Sequence, residues 1–147
     1  KIKDVSITSD FIVAFPGETE EQFMDTVNIV DELLFDQCNT AMYSPRKRTP
    51  AATWRDDFLS EEVKKQRINI LNDHVKQAAL KGNQRLLNTT QEVLVESFSE
   101  NNETLTLTGR TRNNKITHFE GDKTLVGELV NVEITDCTAW SLKGRIP

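Results

Sequence analysis

Apolar residues change their rhythm several times along this chain, and each change marks an element. Val5 to Phe15 first alternates apolar and polar positions, then becomes almost continuously apolar at Phe11-Ile12-Val13-Ala14-Phe15. That pattern predicts a strand entering a sheet covered on both faces. Pro16-Gly17 ends it. Thr19 followed by Gln22 is a capping-box pattern, and Glu20 and Glu21 fall where the helix dipole favours negative charge. Phe23, Val27, Val30, Leu33 and Leu34 then recur at helical spacing up to Phe35. Asp36 starts a turn, and Gln37 to Tyr43 reads as a second strand. Strand, helix and strand with short connections make a βα unit of a parallel sheet.

Ser44 to Leu59 holds Pro45, Pro50 and the run Arg46-Lys47-Arg48, and reads as an exposed loop. Ser60 caps a long helix through Glu61 and Glu62, with Ile68, Leu71, Val75 and Ala79 on one stripe. It is expected to reach about Leu80 and to have room to continue towards Leu87. From Gln91 the pattern shortens to Val93–Val95, Leu105–Leu107, Ile116, Leu129–Ile134 and Trp140–Leu142. Asn101-Asn102, Asn113-Asn114 and Gly121-Asp122 separate these segments, which predicts a closed antiparallel barrel of about five strands. The expected organisation is an α/β part over residues 1–86 and an all-β part over 87–147. Two parallel strands with two helices cannot hide both sheet edges, so residues 1–83 are expected to be the last third of a larger barrel.

Composition narrows the class. With 147 residues, 37% hydrophobic and 28% charged, the chain is ordinary for a soluble globular protein. Its apolar runs are far shorter than the roughly 20 residues that span a bilayer. It shows no signal peptide and opens on Lys1, so it is expected to be part of a longer cytoplasmic protein, an organelle being the alternative. The net charge of −5 argues against non-specific coating of nucleic acid. Residues 1–86 carry 12 Lys and Arg against 14 Asp and Glu, and residues 87–147 carry 6 against 9. Any RNA contact must therefore rest on a local patch. Cys38 and Cys137 stand 99 positions apart, and His74 and His118 have no partner at ligand spacing, so no metal site is expected.

The string from Asp10 to Phe23, DFIVAFPGETEEQF, resembles the segment that radical S-adenosylmethionine methylthiotransferases carry at the fifth strand of their barrel. The resemblance implies that Val13 and Phe15 pack on or near the adenine of the cofactor. This chain departs at Ala14, where the family usually has glycine, which adds a methyl at a position of close approach. Thr40-Ala41-Met42-Tyr43-Ser44-Pro45-Arg46, followed by Thr49-Pro50-Ala51-Ala52, resembles the family's sixth-strand segment facing cofactor and substrate base. Sites in such barrels lie where strands end. Tyr43 and Arg46 are thus placed to stack on a base or hold a phosphate. Arg48 stands where the family has glycine, so the loop is expected to take another path, and a solvated basic loop remains the alternative for Lys47 and Arg48.

Gly109 to Asp122, GRTRNNKITHFEGD, closed by Trp140-Ser141-Leu142-Lys143-Gly144-Arg145, resembles the TRAM domain, an RNA-binding barrel. Gly109 to Phe119 contains Arg110, Arg112, Lys115 and His118 and no acid, which reads as a positive island. Guanidinium groups suit phosphates, and Asn113 and Asn114 can read the edges of unstacked bases. Phe119 and Trp140 could stack on bases, but a barrel needs an aromatic core, and for Trp140 the core is the expected place.

Asn-Asn-Lys after Gly-Arg-Thr-Arg, together with Tyr-Ser-Pro-Arg, resembles the branch of the family acting on isopentenyl-adenosine beside the anticodon. The resemblance implies a parent that transfers a methylthio group to carbon two of that base. It would use S-adenosylmethionine and two 4Fe-4S clusters, one held by an upstream CxxxCxxC triad and one by an amino-terminal domain. Those cysteines are not in this sequence. The chain is accordingly expected to supply no catalytic residue and to be inactive alone. Its implied partners are a tRNA anticodon stem-loop and the rest of the enzyme, with a monomer expected. The alternatives are the relative that modifies a ribosomal protein, and a non-enzymatic RNA-binding module.

Overall fold

The structure, a computed structural model, describes residues 5–101 and 104–147. Asn102, part of one predicted turn, lies outside them. Two compact units emerge, one of Ile7–Ala78 and one built on Ala79–Pro147, with the division falling inside a helix.

In the first unit β1 (Thr8–Val13) and β2 (Gln37–Met42) run parallel, Thr8 opposite Gln37 and Val13 opposite Met42. Between them lies α1 (Glu20–Leu33), whose capping box is formed in full. The Thr19 hydroxyl accepts from the Gln22 N–H at 3.2 Å, and the Gln22 carboxamide accepts from the Thr19 N–H at 3.0 Å. Phe23, Val27 and Val30 are fully buried with Val13, Phe35, Leu71 and Val75. Each large side chain so buried stabilises by about 1.5–3 kcal/mol over leaving it exposed.

The other face of this strand pair is uncovered. Ile12 is 56% exposed, and Ala41, its partner across the pair, is exposed as well. The sequence predicted cover on both faces, yet only the helical side is packed among the described residues. A parallel pair normally needs both.

After two short 3-10 turns (Pro50–Thr53 and Arg55–Asp57), α2 extends over Glu61–Gln84. The Ser60 hydroxyl accepts from the Val63 N–H at 3.3 Å. Leu71, Val75 and Ala79 are buried as the stripe predicted, and the helix continues past Leu80 by one turn, ending at Gln84 within the stretch towards Leu87.

The second unit is a closed barrel of β3 (Thr90–Asn101), β4 (Thr104–Thr111), β5 (Ile116–Glu120), β6 (Leu129–Cys137) and β7 (Leu142–Arg145), in the order β3-β4-β5-β7-β6. Its interior is Val93, Val95, Leu107, Phe119, Val132, Ile134 and Leu142. One pair corrects the expectation of an antiparallel barrel, because β5 and β7 run parallel. The reason is parity: directions cannot alternate all the way around a ring with an odd number of strands. Gly109 lies within β4. A Cβ there would collide with the Leu94 carbonyl oxygen on β3.

Candidate functional site

The residues singled out in the first unit gather at the carboxyl ends of its two strands. Val13 closes β1, Ala14 takes a left-handed conformation (φ 58°), and the chain turns so that Phe15 emerges 42% exposed. For L-residues that conformation costs roughly 1–2 kcal/mol, so something must hold it. The Ala14 N–H donates to the Glu18 carboxylate at 2.8 Å. Glu18 in turn receives Arg67 from α2 at 2.5 Å, and the same guanidinium donates to Glu20 at 3.0 Å and lies 5.2 Å over the Phe23 ring.

Neither Glu18 nor Arg67 was among the predicted site residues. The available signal was position: Arg67 heads the stripe that continues through Leu71, Val75 and Ala78, where an unpaired cation would not be tolerated.

Phe15 packs edge-on against Tyr43 (5.1 Å between centroids) and Trp54 (6.1 Å), and Tyr43 against Phe58 (5.9 Å). Phe15 and Tyr43 border a cleft of about 290 Å³ lined also by Ile12, Met42, Arg46 and Ala51 among others. The Tyr43 hydroxyl is buried and finds no hydrogen-bond partner among the described residues. Buried hydroxyls ordinarily pair with protein, water or a bound molecule, and this one belongs to a residue that lines the cleft. Arg46 is exposed at the cleft's rim.

Val13 requires a correction. Its side chain is 1% exposed within the helix-facing core, so it is spent on packing and presents no surface to a cofactor. Strand alternation explains this: Val13 shares a face with Phe11, whereas Ile12 takes the open one. The loop beyond Pro45 keeps the conformation a glycine would take, since Arg48 itself is left-handed (φ 69°).

On the barrel, the positive island of the sequence is not one in space. Arg110 meets Glu96 at 3.3 Å and Arg112 pairs with Glu92, both carboxylates reaching across from β3. The two arginines were read without their acids because the acids lie 14 and 20 residues away and become neighbours only through strand register. Arg112 to Lys115 form the β4–β5 turn. The Asn114 N–H donates to the Thr111 carbonyl at 2.9 Å with Asn114 left-handed (φ 60°), and its side-chain oxygen accepts from Arg110 at 3.1 Å. Asn114 therefore builds the turn, while Asn113 sits half-buried at its tip beside Lys115.

Phe119 and Trp140 exchange the places expected of them. Phe119 is 3% exposed, facing Leu107 inside the barrel, and offers no stacking surface. Trp140 is 55% exposed in the β6–β7 turn. His118, on the outer face, lies beside Lys143 in the parallel β5–β7 pair and shares a 3.0 Å hydrogen bond with Thr108 through Nδ1.

Burial raises the pKa of Cys38 above its ordinary value, and burial followed by Asp136 raises that of Cys137. Among the described residues no group of three or more His, Cys, Asp or Glu could hold a metal ion, and no helix is long and apolar enough to cross a membrane.

A small closed barrel with this strand order is an OB-like module. Residues 84–146 match the TRAM domain, and the closed barrel lies within that match. Across the two units the chain is 46% identical, over 99% of its length, to a tRNA-2-methylthio-N(6)-dimethylallyladenosine synthase of Geobacillus kaustophilus (strain HTA426). It is 44% identical over 99% to one from Alkaliphilus oremlandii (strain OhILAs), and 45% over 96% to one from Yersinia enterocolitica. These alignments cover 27%, 31% and 29% of the respective relatives, so the chain spans about 30% of the length of the curated relatives it matches. The family resemblance read from the motifs is thus found over nearly the whole chain.

Proposed function

We propose that this chain forms the closing strands of a radical S-adenosylmethionine barrel and the RNA-holding TRAM domain of a tRNA methylthiotransferase. Such an enzyme places a methylthio group on carbon two of an isopentenylated adenosine beside the anticodon. The observation that carries the reading is alignment over 96–99% of the chain with enzymes so named. The uncovered strand pair supports it, because Ile12 and Ala41 form the kind of apolar face that further strands of a parallel barrel would cover.

The cleft suits the nucleoside end of S-adenosylmethionine. Phe15 offers a ring at the strand end, and the Tyr43 hydroxyl offers a buried polar atom awaiting a partner. When bound, that cofactor supplies the methyl group and the radical source. The role of this chain is to orient the base-shaped part, with Arg46 at the rim to meet a phosphate of the substrate RNA. The iron–sulfur clusters do not fit the residues here: Cys38 and Cys137 belong to different units and carry raised pKa values, where a cluster needs several converging thiolates. No step is assigned to them in this chain.

Binding of an anticodon stem-loop carrying N6-dimethylallyladenosine tests the reading. Saturable binding that weakens with added salt is expected. Affinity no better than ~100 µM, the weak end of non-specific binding, would sink it.

A further inference from the structure

We infer that the β6–β7 turn is a rigid platform on which Trp140 stacks an unpaired RNA base, with Lys143 and His118 beside it to receive the adjoining backbone. The inference rests on the reading that the barrel holds RNA, and it moves the centre of contact away from the Gly109–Lys115 motif.

Three observations carry it. The first is the disposition of charge. Arg110, Arg112 and Arg145 are each engaged by a carboxylate, Glu96, Glu92 and Glu133 respectively. Lys143 makes no ion pair among the described residues. It lines, with His118, Thr106 and Thr135, a surface groove of about 500 Å³. Glu120 also borders this groove, so it is mixed in sign, but Lys143 on β7 brings to it an ammonium with no carboxylate partner among the described residues.

The second is the exposure of Trp140. An indole left 55% in water at the tip of a tight turn gains little for the fold. Lys143 follows it by three residues, a separation of at most about 11 Å in extended chain.

The third is the rigidity of the turn. The Thr138 hydroxyl accepts from the N–H groups of Trp140 (3.1 Å) and Ser141 (3.0 Å), and the Thr138 N–H donates to the Ser141 carbonyl at 2.8 Å. Asn83, in the last turn of α2 and 2% exposed, donates through Nδ2 to the carbonyls of Thr138 (2.8 Å) and Ala139 (3.2 Å). A buried asparagine committed to the two residues before an exposed tryptophan is a positioning residue. It fixes the indole before RNA arrives, so little ordering cost remains for binding.

The test uses the 147-residue chain with Trp54→Phe, which leaves Trp140 as the one fluorophore of its kind, and an anticodon stem-loop RNA bearing a terminal dye. Dye anisotropy reports binding and indole quenching reports stacking. The expected result is quenching in step with anisotropy, binding weakened about 5- to 150-fold by Trp140→Ala (the loss of one stacked base), and near-normal binding by Trp140→Phe. Because Trp140 is exposed, these variants fold.

Asn83→Leu should increase acrylamide access to Trp140 and weaken binding in the wild type but not further in Trp140→Ala. Equal weakening in both backgrounds would overturn the positioning role. RNA that binds without quenching, and equally to Trp140→Ala, overturns the platform while leaving the proposed function standing. RNA that does not bind at all overturns both.

Discussion

Arg67 and Glu18 form a nearly buried ion pair whose carboxylate also accepts the N–H of Ala14, so a side chain on α2 fixes the turn from which Phe15 emerges. Removing one member of such a pair strands the other charge and costs about 3–5 kcal/mol, although the pair itself contributes less. Arg67→Ala should destabilise the first unit by about 3 kcal/mol in urea melts. Arg67→Met combined with Glu18→Gln should cost less than the sum of Arg67→Met and Glu18→Gln made singly. Additive losses in this double-mutant cycle would contradict the coupling.

Arg48 holds a left-handed backbone while its side chain is exposed. Glycine relieves a penalty of about 1–2 kcal/mol and gives back ~0.5–1 through a freer unfolded chain. Arg48→Gly is therefore expected to raise the melting temperature slightly, and Arg48→Val, branched at Cβ, to lower it. The reverse order would refute the conformation.

Glu92 and Glu96 neutralise the arginines that the sequence offers to RNA. Two fully released phosphate contacts, from Arg110 and Arg112, would contribute about −1.4 to the log–log salt slope, at ~0.7 each on single strands. The wild type should show a shallower slope, because its arginines already have partners. Replacing both carboxylates by glutamine should tighten RNA binding and steepen the slope. An unchanged slope would show that Arg110 and Arg112 stay out of the contact.

Burial holds the thiols of Cys38 and Cys137 in their neutral form, raising both pKa values. Fewer thiolates at a given pH means slower alkylation than a free cysteine, with a midpoint shifted to higher pH. The linkage has a definite sign: stability from these groups is fully present below the unfolded thiol pKa and falls as pH rises through the folded one. Iodoacetamide labelling followed by mass spectrometry from pH 7 to 10 checks this, and labelling as fast as free cysteine contradicts it.

Local signals carried the first unit well. Thr19 and Gln22 make their capping box because every atom involved lies within four residues. The barrel was legible as a set of strands, but side-chain destinations there depend on register. Phe119 goes inside because it faces Leu107 across the β4–β5 pair, and Trp140 stays outside because β7 begins only at Leu142. The partners of Arg110 and Arg112 were hidden for the same reason. Arg67 was legible only as an intruder on an apolar stripe, since its acid lies 49 residues away in sequence.

Photocrosslinking tests the account most directly, using an anticodon stem-loop with a photoreactive base in the loop and mapping adducts on the 147-residue chain. Adducts at Trp140 and around Arg46 at the cleft's rim are predicted. Adducts confined to the solvent face of α1, or none above the yield of a scrambled duplex, would contradict an RNA-holding role.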